Sequence, residues 1–392
     1  MTRIGLVVNP VAGLGGRVGL GGTDGPDRAR AALSLGARPL AGARAAAALG
    51  ELAARAGKPT RAGFPAPGSG LLVVTAAGPL GADSVAAAGL AAQVVYAAGA
   101  GRDTSAEDTA AAVRAVVAEG VDLLLFAGGD GTARDVLGAL GSLGDVPLCP
   151  VLGVPTGVKM HSAVFAVSPR AAGEVAAAWL ARTGNVRLRD AEVMDRDEDA
   201  LGEGRVTSRL FGWLPVPDVP VRVQQRKTGS TATAPDAVGG IAAEVAERVG
   251  AGLLALGPGS TTRAVAASLG ADVSLTGVDV LALRPGHPPR TVAREAGEDA
   301  LLALGPAWIA LSPIGGQGFL LGRGNQQISP RVLRAAGGRA HLLVLCTEAK
   351  LAALGGRPLL LDTGDDALDA ELSGHLPVIT GRRRTSLYRL AM

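Results

Sequence analysis

The sequence is poor in several residue types, and each scarcity narrows what the chain can be. Two cysteines, Cys149 and Cys346, stand far apart in 392 residues. That leaves no disulfide framework and no Cys-x-x-Cys metal pattern, fits a reducing compartment, and makes both thiols core candidates. Aromatics are few, with 5 Phe, 3 Trp and 2 Tyr, which suggests compact helix packing and many turns. No basic block is interleaved with them, so nucleic acid is not an expected partner despite a pI near 9.2. Arg382-Arg383-Arg384 is the one basic run and reads as a solvated turn. Long Leu- or Ile-rich runs are also missing. The uncharged stretch from Ser84 to Ala100 is built from Ala and Gly, which reads as helix plus strand, and no membrane is expected. Thr2-Arg3 leads straight into the strand-like Ile4 to Val8 without a signal-peptide pattern, so the expected location is cytoplasmic.

Familiar motifs are absent as well. There is no Gly-x-x-x-x-Gly-Lys-[Ser/Thr] loop, no strict Gly-x-Gly-x-x-Gly register, no His-Glu-x-x-His and no Gly-x-Ser-x-Gly. Ordinary P-loop, dehydrogenase, zinc-protease and hydrolase readings lose support.

What is there centres on Val121 to Val136. An apolar run of strand length stops at Gly128-Gly129-Asp130-Gly131-Thr132, and a helix is predicted from Ala133 to Leu143. The glycines allow close backbone approach, Thr132 stands where it can cap the helix, and a helix start favours anions. A lone carboxylate is an odd choice for such a place unless it serves a hydroxyl or a metal, so Asp130 reads as chemical. Taken alone, the pentapeptide reads first as a tight turn; its context reverses that preference.

That context is a repeated theme of strand, glycine loop and helix. Strand Ile4 to Val8 ends in Asn9-Pro10 and a glycine-rich loop, and a strand ending at Leu152 feeds Gly153-Val154-Pro155-Thr156-Gly157-Val158-Lys159-Met160-His161-Ser162. Open parallel sheets bind ligands at such strand ends. Lysine occurs only at 58, 159, 227 and 350 and asparagine only at 9, 185 and 325, which draws attention to Asn9, Lys159, Lys227 and Asn325. Lys159 is suited to offset phosphate charge; His161 is as consistent with a structural histidine as with a ligand contact.

From Val186 onward, short β segments joined by the acidic turn Asp195 to Asp199 suggest a small antiparallel unit. A second alternating region then carries Gly257-Pro258-Gly259-Ser260-Thr261-Thr262, a second candidate phosphate loop, and Gly315 to Gln327, where amides cluster beside glycines. The expected fold is α/β, an N-terminal doubly wound parallel-sheet domain followed by a β-rich C-terminal portion containing a second α/β region. The expected boundaries are residues 1–180 for the N-terminal kinase-type domain and 181–392 for the remainder. Within the remainder, a β unit spans about 186–225 and 365–392 and an α/β region about 238–350.

Gly128-Gly129-Asp130-Gly131-Thr132 together with Asn9-Pro10 resembles the NAD kinase, diacylglycerol kinase and sphingosine kinase superfamily. The segments Gly153 to Ser162 and Gly315 to Gln327 are similar to its ATP-NAD kinase branch, including members associated with acetoin catabolism. The resemblance implies ATP- and Mg²⁺-dependent phosphorylation of the 2′-hydroxyl of NAD to give NADP, with Asp130 catalytic. It implies nucleotide contacts from Asn9, Pro10, Gly128, Gly129, Gly131, Thr132, Gly157, Lys159, His161 and Ser162. Related kinases are often homo-oligomers. The Asn-Glu pair that grips the NAD ribose in NAD kinases is missing, since Ala191-Glu192 has no Asn. Two alternatives therefore stay open: a kinase of another small hydroxylated metabolite or lipid on the same scaffold, and a non-catalytic nucleotide-binding regulator.

Overall fold

A computed structural model describes residues 2–20, 26–56, 71–99, 104–143, 149–158, 160–182, 186–196, 208–219, 222–223 and 235–392. The chain divides into two compact units, Met1–Gly13 with Arg38–Arg226, and Leu14–Ala37 with Lys227–Met392.

The first unit is built on five parallel strands, β1 (Thr2–Val8), β2 (Leu71–Ala76), β3 (Ala92–Tyr96), β4 (Leu123–Gly128) and β5 (Val151–Pro155), in the order β3-β2-β1-β4-β5. Chain order reverses between β1 and β4, which makes the carboxyl ends of those strands the natural crevice of the sheet. Strand β4 is buried along its whole length, as expected of a continuous apolar run covered on both faces. Helix α2 (Ala41–Ala56) packs with α3 (Ala82–Ala87) and α6 (Pro169–Leu180), while α4 (Ala106–Ala118) packs with α5 (Asp130–Gly141). This is the doubly wound arrangement. Ser105 caps α4 by accepting from the Asp108 amide, and the Asp108 carboxylate returns to the Ser105 amide, the reciprocal pattern that fixes a helix start.

Strands β6 (Arg187–Arg196) and β7 (Ser208–Asp218) form a separate antiparallel pair in the same unit. Ala191, Val193, Leu214 and Val216 make its buried face. Residues 197–199 of the acidic turn lie outside the described residues, as do 200–207, 220–221 and 224–234.

The second unit opens with α1 (Pro26–Ser34), which the sequence reading passed over, and carries an eight-stranded mixed sheet. Its strands are β8 (Gly252–Leu256), β9 (Asp279–Arg284), β10 (His287–Ala293), β11 (Trp308–Leu311), β12 (Leu342–Leu345), β13 (Leu359–Leu360), β14 (Gly374–Gly381) and β15 (Arg384–Ala391). The order is β10-β9-β8-β11-β12-β14-β15-β13. The period of two is visible in the core. Leu254, Leu256, Ala310, Leu343, Leu345 and Ile379 enter one hydrophobic cluster, and Ala255, Ile309, Leu311, Val344, Cys346 and Val378 enter the other. Helix α7 (Pro235–Val249) covers the first cluster with Val238, Ile241, Ala242, Val245 and Val249, the spacing of a single helical face. Glycines precede α8 (Ser260–Leu269) and α9 (Glu298–Leu304), while the side chains of Ser329, Thr347 and Asp365 cap α10 (Pro330–Ala335), α11 (Glu348–Ala352) and α12 (Asp366–Leu372).

The last two strands correct one expectation. They do not join the 186–225 segment: β14 pairs with β12 in parallel and with β15 antiparallel. Val378 and Ile379 feed opposite cores, which requires a strand covered on both faces, and a two-stranded ribbon offers no such place. Among the described residues no helix is long and apolar enough to cross a membrane.

Candidate active site

Three strand ends meet in the first unit. Strand β1 delivers Asn9, β4 delivers Gly128 to Thr132, and β5 delivers Thr156 to Ser162. Loop backbones pack directly on one another here: the amides of Thr156 and Gly157 both donate to the Gly128 carbonyl, at 2.9 and 3.2 Å. A Cβ on Gly157 would lie 2.9 Å from the Gly129 Cα, so the close approach requires glycine at this pair. Gly13 closes the crevice from the β1 side. Its φ is +80°, and a Cβ there would sit 1.9 Å from the Thr156 carbonyl oxygen. Gly13→Ala combines left-handed strain with that overlap, and is expected to destabilise the first unit by about 2–4 kcal/mol and to displace Thr156. Denaturant unfolding checks the first effect and nucleotide binding the second.

Asp130 is the first residue of α5, one position after the N-cap Gly129, whose φ and ψ are −120° and −163°. The helix therefore begins three residues earlier than predicted, and Thr132 lies inside it rather than capping it. The Thr132 hydroxyl accepts a 3.0 Å hydrogen bond from Asn9 Nδ2, while Asn9 Oδ1 accepts from the Val11 amide at 3.2 Å. Asn9 thus ties the β1 loop to the first turn of α5. Gly129 has no side chain with which to cap the helix, and the amides of Asp130, Gly131 and Thr132 are the first three of the helix, where anions are favoured.

The Asp130 carboxylate is buried, and it is held. Its Oδ2 accepts from the His161 amide at 2.6 Å and its Oδ1 from the Ser162 amide at 3.0 Å. Burial pushes its pKa from 3.8 up to about 7, and the hydrogen bonds from Ser162 and His161 pull the other way without offsetting it. His161 Nδ1 lies 3.6 Å from Asp130 Oδ2, both side chains being buried. The Asp195 carboxylate, itself paired with Arg134 at 3.1 Å, adds to the upward shift. Each carboxylate oxygen still has a lone pair beyond its amide contact, so the group can accept a further proton or hydrogen bond.

The structure brings Asn9, Gly128, Gly129, Asp130, Gly131, Thr132, Gly157, His161 and Ser162 to these strand ends, with Pro10 following Asn9. Lys159 lies outside the described residues, as do Lys58, Lys227 and Asn185. Ser162 has a role its sequence did not announce. Its hydroxyl donates to the Met194 carbonyl at 2.8 Å and accepts from the Met194 amide at 2.9 Å. These two bonds fasten Ser162 to β6. Asn325 is likewise structural, accepting from the Gly322 amide at 3.0 Å and donating to the Leu320 carbonyl at 2.8 Å.

Other residues were missed. Arg44 on α2 donates from Nε to the Pro155 carbonyl at 2.5 Å, so a cation supports the end of β5. Its signal was available, since it is the first charged residue in the Ala-rich run of α2. In the second unit the Gly257-Pro258-Gly259 loop does open a helix, α8, and Lys350 Nζ lies 3.3 Å from Thr261 Oγ1 and 3.0 Å from Ser312 Oγ. The first turns of α8 and α11 supply Thr261 and Lys350, and the loop after β11 supplies Ser312.

Residues 61–183 match the ATP-NAD kinase N-terminal domain, and residues 253–390 match the ATP-NAD kinase C-terminal domain. Comparison with curated proteins gives no match. The two matched domains together take in about two thirds of the chain and include both β4 with its Asp130 turn and the α8 loop; the chain belongs to the ATP-NAD kinase family, whose members are kinase phosphotransferases acting on small molecules.

Proposed function

We propose that the protein transfers the γ-phosphoryl group of ATP to the 2′-hydroxyl of NAD, giving NADP and ADP, at the ends of β1, β4 and β5. The observation that carries this reading is a buried carboxylate at the start of a helix that has no side-chain cap. Phosphoryl transfer asks mainly for positioning and charge stabilisation, and the amides of Asp130, Gly131 and Thr132 suit phosphoryl oxygens. Asp130 takes the proton of the attacking hydroxyl as the O–P bond forms, the bond from phosphorus to the bridging oxygen breaks, and ADP departs. A base with a pKa near the working pH is matched to that task. Asn9 keeps the β1 loop against Thr132, and Lys159 is assigned the neutralisation of phosphate charge.

Among the described residues no three His, Cys, Asp or Glu side chains come together as a metal cage. Magnesium is therefore assigned to the phosphates of ATP, as is common for this ion. No protein ligand is assigned to it.

Since Asp130 is raised to about 7, activity is expected to rise as pH increases through about 7 and to level off above it. A pH profile of kcat/KM reads this directly; a rate that stays flat from pH 6 to 8 would remove Asp130 as the base. The acceptor is tested by supplying ATP, Mg²⁺ and NAD and measuring NADP. The missing Asn-Glu pair favours a second reading, phosphorylation of another small hydroxylated molecule, and ATP turnover that leaves NAD untouched would select it.

A further inference from the structure

Thr156 is 8 % exposed, and its Oγ1 is buried without a hydrogen-bond partner among the described residues. Leaving a buried hydroxyl unmatched works against folding, and a native structure that keeps one calls for an explanation. The residue is not loosely placed. Its amide is fixed on the Gly128 carbonyl at 2.9 Å, and its own carbonyl faces the Gly13 Cα so closely that no side chain fits there. Backbone contacts from the β1 loop and from the end of β4 thus hold Thr156 at the reversal of strand order, beside the turn whose next amides begin α5.

We infer that Thr156 is a further binding residue of this site, its hydroxyl donating a hydrogen bond to a phosphoryl oxygen of the nucleotide that lies across the ends of β1, β4 and β5. The inference rests on the kinase reading of the same crevice, since it takes the ligand from it. A phosphoryl oxygen is the partner best suited to this hydroxyl, because the neighbouring groups at the helix start are themselves donors. The contact resolves the unmatched hydroxyl only when ligand is bound, and so favours binding over the free state.

The discriminating substitution is Thr156→Val, which keeps the branched shape and deletes the hydroxyl. Loss of an unmatched group leaves the melting temperature of the free protein unchanged or raised, whereas a structural hydroxyl would lower it. Loss of a hydrogen bond to a charged oxygen weakens binding by about 10- to 100-fold. Calorimetric titrations with ATP alone and with NAD alone, on the wild type and on Thr156→Val, show which nucleotide's phosphate is held. Thr156→Ser restores the hydroxyl and is expected to recover most of the affinity. Equal affinities of wild type and Thr156→Val for both nucleotides would overturn the inference while leaving the kinase reading in place. A wild type that binds neither nucleotide would overturn both.

Discussion

Asp130→Asn is expected to lower kcat by about 10²- to 10⁴-fold, the usual contribution of a positioned general base. The substitution keeps the size of the side chain and removes its capacity to take a proton. It also disturbs the loop after β5. The carboxylate accepts one amide on each oxygen, from His161 and Ser162, and an Asn can accept on only one side while its NH₂ meets a second donor. A melting curve must therefore accompany the rate, so that lost chemistry is separated from a loosened loop. Burial raises the Asp130 pKa in the folded chain from 3.8 to about 7. By linkage, its contribution to stability is fully present below about pH 3.8 and is lost as pH rises through about 7. Asn does not titrate, so the variant gains stability relative to wild type on going from pH 5 to pH 8. Full phosphoryl transfer by Asp130→Asn would sink the catalytic assignment.

Arg323→Met is the second large effect, and it concerns the second unit. Arg323 Nη1 lies 2.5 Å from Asp362 Oδ2, with both side chains about as buried as core residues, and the guanidinium also covers the Phe319 ring at 4.6 Å. Removing one partner of such a pair leaves a charge in a medium that cannot solvate it, at a cost of about 3–5 kcal/mol. Replacing both, Arg323→Met with Asp362→Leu, removes the stranded charge and is expected to recover most of that loss. Trp308 packs on His341 within the same unit, so its fluorescence in a Trp179→Phe, Trp213→Phe background follows this unit through a denaturant titration. Similar instability of the single and double variants would mean that packing, rather than charge, is what Arg323 contributes.

Much of this was readable in the residues. Strand, glycine turn and helix at Val121 to Val136 gave β4, the Asp130 turn and α5, because a fully covered parallel strand is an unbroken apolar run. Boundaries were less readable. The helix is expected to follow the whole glycine turn, from Ala133, yet it begins at Asp130, with Asp130 and Gly131 in its first turn although both are poor helix formers. Strand β10 begins His287-Pro288-Pro289, and its prolines hid it. What Ser162, Thr156 and Arg44 hold in place was hidden for a different reason. Their roles depend on partners far away in sequence, Met194 for the first and Gly13 or Pro155 for the others.

The tethering of Ser162 bears on how a ligand is received. His161 and Ser162 are fastened to α5 through Asp130, and Ser162 is fastened to β6 through Met194. A glycine-containing loop would ordinarily keep much of its conformational freedom until something bound to it. Here the freedom around His161 and Ser162 is already given up during folding, so a ligand meets a wall that is set in advance and loses little affinity to ordering it.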